Sequence, residues 1–304
     1  MRVEFVQAIA HLHTQCPDLV FLTGDVGFAA LEELRSHMGD HFINAGVAEQ
    51  NMITMAAALA QEGFPTWAYS ISPFITLRPY EQIRNDVCLH RLSVKIVGNG
   101  GGYGYGIMGA THHNLEDIAA MRLLPHMRVY VPFISADVAE AVQAMHRDPD
   151  PNYLRLNLAA RIPDRVPPFA PWRRIRQGHR ATVIGTGPVL QNVCLLPEAA
   201  DFEIWSVGIF PLHAIPPDLL QSVHRTRKVI LIEEHSAQCG LAEAIALPLL
   251  NQLAVPIRIL SLAAAGYPSG RYGSQRFHQT ESGLAGDLLQ TRIAAFFNPS
   301  VEAH

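Results

Sequence analysis

Three short stretches carry residue types whose spacing could do chemistry. The first is GVAEQNM, Gly46–Met52. It sets Glu49 in the first turn of an apolar, Ala-rich segment that directly follows a strand-like run. Such a glutamate can simply complement the helix dipole, with Asn44 or Gly46 as the cap. The flanking Ala and Gly leave the carboxyl group little room to reach water, and a carboxyl so placed can share a proton with a ligand nitrogen. The second is GNGGGYGYGIMGATHHN, Gly98–Asn114, with seven glycines. Glycine lets backbone approach a ligand closely, though a plain surface loop is equally open. It is neither a GxxxxGK[ST] phosphate loop nor a dinucleotide fingerprint, since its glycines do not lead straight into a helix. His112 and His113 close it, and adjacent side chains diverge, so at most one faces a site. The third is SPFITLRPYEQ, Ser72–Gln82, where Phe74, Leu77 and Tyr80 recur every three residues. If helical they make one apolar face, for the core or as a wall for a planar ring.

The elements that must position these residues alternate along the chain. Apolar spacing predicts a helix over Val3–Thr14, stopped by Pro17, and then a buried strand over Leu19–Gly24 (LVFLTG). A helix over Ala29–Met38, a strand over His41–Gly46, a helix over Val47–Gln61 and a strand over Pro65–Ser72 follow. Pro73–His90 reads as a helix with a kink or break at Pro79. Strands over Leu92–Asn99, Arg128–Pro132 and Asn152–Asn157 alternate with helices over Asn114–Leu123 and Ala136–Arg147. Residues 162–176 (IPDRVPPFAPWRRIR) contain four prolines and read as a linker, because proline stiffens the chain and removes ladder donors. Alternation then restarts, with helices over Val189–Ala199, Asp218–Thr226, Leu241–Leu253 and Ser282–Phe297 between strands. The expectation is an α/β protein: two doubly wound domains with mainly parallel sheets, 1–161 and 177–304, joined at 162–176. In such sheets ligands sit beyond the carboxyl ends of the strands, which is where Glu49 and the glycine loop fall.

Composition narrows the function. Lys plus Arg number 23 and Asp plus Glu 27, so 23 − 27 gives −4 over 304 residues. A slightly acidic chain is poorly suited to nucleic acid or an anionic membrane. No apolar run reaches the ~18 residues of a membrane-spanning helix, and the N-terminus does not read as a signal peptide. Cys16, Cys88, Cys194 and Cys239 are far apart and form no CxxC, which fits a cytoplasmic protein with inert thiols.

GVAEQNM, the aromatic stretch and GATHHN, in that order and spacing, resemble the pyrimidine-binding domain of transketolases and 1-deoxyxylulose-5-phosphate synthases. Lys228–Ala246 (KVILIEEHSAQCGLAEAIA) and Tyr272–Gln275 (YGSQ) are similar to their C-terminal domain. The resemblance covers nearly the whole chain, and the β subunits of 2-oxoacid dehydrogenases share the two-domain arrangement. It implies thiamine diphosphate as cofactor, with Glu49 at N1′ of the aminopyrimidine and Phe74 and Tyr80 packed on that ring. Asp25 matches a cofactor-proximal Asp. His112 matches a His that touches the substrate, and Arg155 an Arg that binds the sugar phosphate, although Arg155 reads equally as a strand-end ion pair. The implied reaction moves a two-carbon ketol unit from a ketose to an aldehyde. The family holds the cofactor's diphosphate through Mg²⁺ on a GDG motif followed by Asn. These 304 residues contain no GDG. The chain therefore resembles the C-terminal half of a split transketolase. The Mg²⁺ and the diphosphate are expected on a separate N-terminal subunit, in an alpha2beta2 hetero-tetramer, with no metal ligands here.

Departures from the pattern bear on the substrate. Met108 stands where the family has an Asp that recognises a sugar hydroxyl, Ala110 where it has a proline, and Gly100 where transketolase has a further His. A specialised sugar in a more open, less cationic pocket is implied. Two other readings stand beside this one. A 2-oxoacid dehydrogenase β subunit or deoxyxylulose-phosphate-type synthase would decarboxylate a 2-oxoacid. A scaffold subunit would keep the fold without the chemistry.

Overall fold

The computed structural model describes residues 1–26, 30–160 and 166–298. The start of the expected helix at Ala29 and residues 162–165 of the expected linker lie outside that range. The chain forms two compact units. One comprises Met1–Gly104 and Ala110–Ala159, the other Tyr105–Gly109 and the chain from Ala160 onward.

The first unit is built on short apolar strands: β1 (Val20–Thr23), β2 (Phe42–Asn44), β3 (Thr66–Ile71), β4 (Val94–Asn99), β5 (Arg128–Tyr130) and β6 (Asn152–Leu156). They lie in the order β5-β6-β4-β3-β1-β2, and every pairing is parallel. Parallel strands need crossovers, which are supplied by α1 (Arg2–Gln15), α2 (Glu32–Met38), α3 (Glu49–Gln61), α4 (Ser72–Leu77), α5 (Tyr80–Gln82), α6 (Asp117–Arg122) and α7 (Ala136–Arg147). The core between α1 and the sheet is aromatic. Phe5 lies 6.3 Å from Phe21, 6.2 Å from Trp67 and 5.6 Å from Tyr69, ring centre to ring centre. Register aligns the carboxyl ends: Gly98 of β4 stands beside Ser70 of β3 and Arg155 of β6.

The second unit has β7 (Trp172–Arg176), β8 (Ala181–Thr186), β9 (Phe202–Val207), a two-residue strand β10 (Ile209–Phe210), β11 (Lys228–Ser236) and β12 (Arg258–Ala264). Its sheet runs β12-β11-β8-β9-β7, parallel except for the antiparallel β7–β9 edge. Its helices are α8 (Gln191–Cys194), α9 (Pro217–Thr226), α10 (Leu241–Gln252), α11 (Gln275–Glu281) and α12 (Gly286–Phe297).

Three expectations change, and the expected break at Pro79 is present. The last five linker residues form β7, because the prolines stop at Pro171 and leave Trp172–Arg176 free to pair. The helix expected over Ser282–Phe297 begins at Gly286, and α11 ends before it; Gly283 and Gly286 both adopt positive φ, which breaks the run. Val189–Ala199 is short helical turns around the four residues of α8. Pro79 does interrupt the Pro73–His90 segment: α4 ends at Leu77, α5 starts at Tyr80, and a π-helical turn over Ile83–Cys88 follows. Leu77 is 45% exposed, while Phe74 and Tyr80 are half-buried. No helix among the described residues is long and apolar enough to cross a membrane. The four cysteines are free thiols.

Candidate active site

The first unit gathers its unusual polar residues beyond the carboxyl ends of β1–β4. Helix α3 begins at Glu49, with Ala48 as its uncapped N-cap residue. The expected capping role of Asn44 is not realised. Its Oδ1 instead accepts from the amides of Asp25 (3.1 Å) and Gly46 (3.0 Å), and its Nδ2 donates to Asp25 Oδ1 (2.9 Å). Asn44 thus joins the turns after β1 and β2 and holds Asp25 at φ 56°, a left-handed conformation that Asp tolerates better than most residues. Gly24 lies against this junction: a Cβ there would come 3.5 Å from the Gly46 carbonyl oxygen and 3.8 Å from Glu49 Cγ. Glu49 is consequently packed at the ends of the strands and only 4% exposed.

One chain of contacts leads from Glu49 to the glycine loop. Arg78 Nη1 donates to Glu49 Oε1 at 2.9 Å. The Arg78 guanidinium carbon lies 3.8 Å from the Phe74 ring centre, a cation–π distance. The Phe74 ring meets the His112 ring edge-on at 5.1 Å. His112 Nδ1 is 3.0 Å from Thr111 Oγ1. Glu49, Phe74 and His112, picked out separately in the sequence, are thus brought together, and Arg78 is the member the sequence reading missed. Its signal was available, since Arg78 follows Phe74 by four residues, the spacing of neighbours on a helix surface.

The loop is anchored below His112. Gly102 and Asn114 exchange backbone hydrogen bonds of 2.7 and 2.9 Å, and Asn114 Nδ2 donates to Ser72 Oγ (3.0 Å) and Thr76 Oγ1 (2.8 Å) of α4. His113 turns the other way, buried edge-on against Tyr103 at 5.4 Å. Tyr80 is half-buried, and its hydroxyl donates to the Ala120 carbonyl at 3.0 Å. Burial raises its pKa above the ordinary phenol value. Met108 belongs to the Tyr105–Gly109 segment of the second unit and is 51% exposed.

Arg155 is 2% exposed, and its Nε donates to the equally buried Asp117 Oδ2 at 2.8 Å. The backbone of Gly101 covers it so closely that a Cβ there would come 2.5 Å from Arg155 Nε. The guanidinium is thus paired with Asp117 and covered by the Gly101 backbone. The ion pair of the second reading is present, and β6 ends under the glycine loop, where the amides of Gly100 and Gly101 donate to the Leu156 carbonyl. Among the described residues no group of three His, Cys, Asp or Glu side chains is placed to hold a metal ion.

Comparison with known proteins fixes the family. The transketolase pyrimidine binding domain profile matches residues 1–159, and the transketolase C-terminal domain profile matches residues 170–277. The chain belongs to the transketolase family. It is 28% identical, over 86% of its length and 86% of the relative's, to an apulose-4-phosphate transketolase subunit of Phocaeicola vulgatus. It is 30% identical, over 81% of this chain and 80% of the relative, to the "Putative transketolase C-terminal section" of Methanocaldococcus jannaschii. A solved structure titled "Split gene transketolase, inactive beta4 tetramer" superposes with a TM-score of 0.81 at 26% identity, over 98% of this chain and 97% of that one. The region matching the transketolase pyrimidine-binding domain contains the whole Glu49–Arg78–Phe74–His112 series.

Proposed function

We propose that this transketolase-family chain is the C-terminal subunit of a two-subunit, thiamine-diphosphate-dependent transferase that moves a two-carbon ketol unit between sugar-type substrates. The observation that carries the reading is a buried carboxylate, Glu49, joined through Arg78 and the Phe74 ring to His112. These residues fit an aminopyrimidine: Glu49 offers a desolvated oxygen for a ring nitrogen, and Phe74 offers half-buried aromatic surface for a planar ring. Tyr80 and Asp25 border the same region of the unit. When bound, the cofactor supplies the nucleophilic carbon and the electron sink.

The chain's own residues orient and manage protons. Glu49 hydrogen-bonds the ring nitrogen, in a place where its interaction is not diluted by water. His112 donates a hydrogen bond to the donor substrate's carbonyl oxygen or to a hydroxyl. At Met108 no charged group is available for a sugar hydroxyl, which favours a specialised sugar. Relatives named as a transketolase subunit and as a C-terminal section support a separate partner. That partner, carrying GDG and Asn, holds Mg²⁺ and the diphosphate in a hetero-tetramer with two copies of each chain. The neighbour solved as an inactive β4 tetramer supports the expectation that this subunit does not turn over by itself.

The test is reconstitution. With its partner, the chain should transfer ketol units without releasing CO₂ from pyruvate. Glu49→Gln should lower kcat by roughly 10²–10⁴-fold, the range for losing a positioned proton-transfer group, while the complex still assembles. Full activity in that variant removes the role of Glu49. CO₂ release from pyruvate would move the chain to the 2-oxoacid class.

A further inference from the structure

Arg78 is held from three sides. Pro79 follows it, so α4 cannot continue past it. Its carbonyl accepts from Gln50 Nε2 at 3.4 Å, which ties its backbone to the first turn of α3 beside Glu49. Its guanidinium lies 3.8 Å from the centre of the Phe74 ring. The side chain is 45% exposed against 4% for Glu49. Nη1 takes Oε1 of Glu49, and among the described residues no hydrogen bond reaches Oε2.

We propose that Arg78 is a positioning residue. By taking Oε1 it fixes the rotation of the Glu49 carboxyl plane and presents Oε2 to the ring nitrogen of an aminopyrimidine. A guanidinium donating to one oxygen works with the carboxylate form of the acid. The proton shared at Oε2 is then carried by the ring, and the ligand form selected is the ring protonated at that nitrogen. The Phe74 ring, 3.8 Å from the guanidinium carbon, restrains the guanidinium from swinging across Oε2. This inference rests on the functional reading above.

The experiment uses the full chain and the probe 4-amino-5-hydroxymethyl-2-methylpyrimidine, labelled with ¹⁵N at the ring nitrogen. Ligand-observed NMR gives affinity, and the ¹⁵N shift of the bound probe reports whether that nitrogen carries a proton. The unaltered chain should bind the protonated ring. Arg78→Leu should bind roughly tenfold more weakly, the scale of one charge-assisted hydrogen bond, and should lose the protonated ¹⁵N signal. Arg78→Lys should recover part of both. Unchanged thermal unfolding of these variants shows that the fold is intact, as expected for a half-exposed side chain. Equal or tighter binding by Arg78→Leu overturns the proposal, because Arg78 would then be a bystander or an occupant of the ring's place. Glu49→Gln separates the two levels. Loss of binding in Glu49→Gln with no loss in Arg78→Leu, or no binding by the unaltered chain, sinks only the positioning role, whereas no effect of Glu49→Gln sinks the functional reading as well.

Discussion

The buried pair of Arg155 and Asp117 has two readings that predict opposite experiments. Asp117 is fully buried, and Arg155 is 2% exposed. Asp117 Oδ2 accepts from Arg155 Nε (2.8 Å), the Tyr153 hydroxyl (2.8 Å) and Ser72 Oγ (3.2 Å), and Oδ1 accepts from the Ile118 amide (3.0 Å). Asp117→Asn keeps the shape but leaves a guanidinium buried without a counter-charge and turns one acceptor into a donor facing it. Removing one member of a buried pair costs about 3–5 kcal/mol, a large share of the ~5–15 kcal/mol of a typical domain. With a urea slope near 2 kcal/mol/M, the midpoint should fall by about 2 M. Trp67, buried in β3, reports on this unit once Trp172 and Trp205 are replaced by Phe. Arg155→Met should cost a similar amount, since it leaves the carboxylate alone. The double variant should cost less than either single change, because no unpaired charge remains. Single changes within about 0.5 kcal/mol of the parent, or an Arg155→Met enzyme of full stability and raised KM, would refute the structural role and return Arg155 to the substrate.

Three further outcomes follow from the same geometry. Gly101→Ala should destabilise by about 1–3 kcal/mol on denaturant titration, since its Cβ would meet Arg155 Nε at 2.5 Å and Cγ at 2.7 Å in a packed interior, while its φ is not in the left-handed region. Lys95→Met should lower the melting temperature by about 5–10 °C, because buried Lys95 Nζ donates to the Asp148 carbonyl (2.6 Å), the Asp150 carbonyl (2.7 Å) and Asn152 Oδ1 (2.8 Å), and only the first keeps another donor, Ser93 Oγ at 3.1 Å. Burial works against ionisation of Asp148, but the Asp150 amide, Asn152 and Arg128 outweigh it and hold its pKa below the ordinary 3.8. The unfolded chain therefore binds the proton first as pH falls, and the stability Asp148 supplies is complete above about pH 5 and is lost as pH drops through 3.8 and below. Acid titration should show that loss in the parent and not in Asp148→Asn.

The sequence by itself determined a good deal. Short apolar runs separated by helical spacing specify buried parallel strands with crossover helices, because only that arrangement covers both faces of each sheet. Pro79 announced its helix break, since proline has no amide to continue the ladder. Glu49 announced its burial through its Ala and Gly neighbours. Other features needed the tertiary structure. Whether Arg155 meets a ligand or a carboxylate depends on Asp117, 38 residues away in sequence, and on the close cover of Gly101. No local pattern carries that information. Asn44 looked like a helix cap, yet it stitches two strand ends, because β1 and β2 are neighbours only in the folded sheet. The meeting of Glu49, Arg78, Phe74 and His112 is of the same kind. Residue types show what each group can do, but distances between α3, α4 and the glycine loop are set by how the strands beneath them pair.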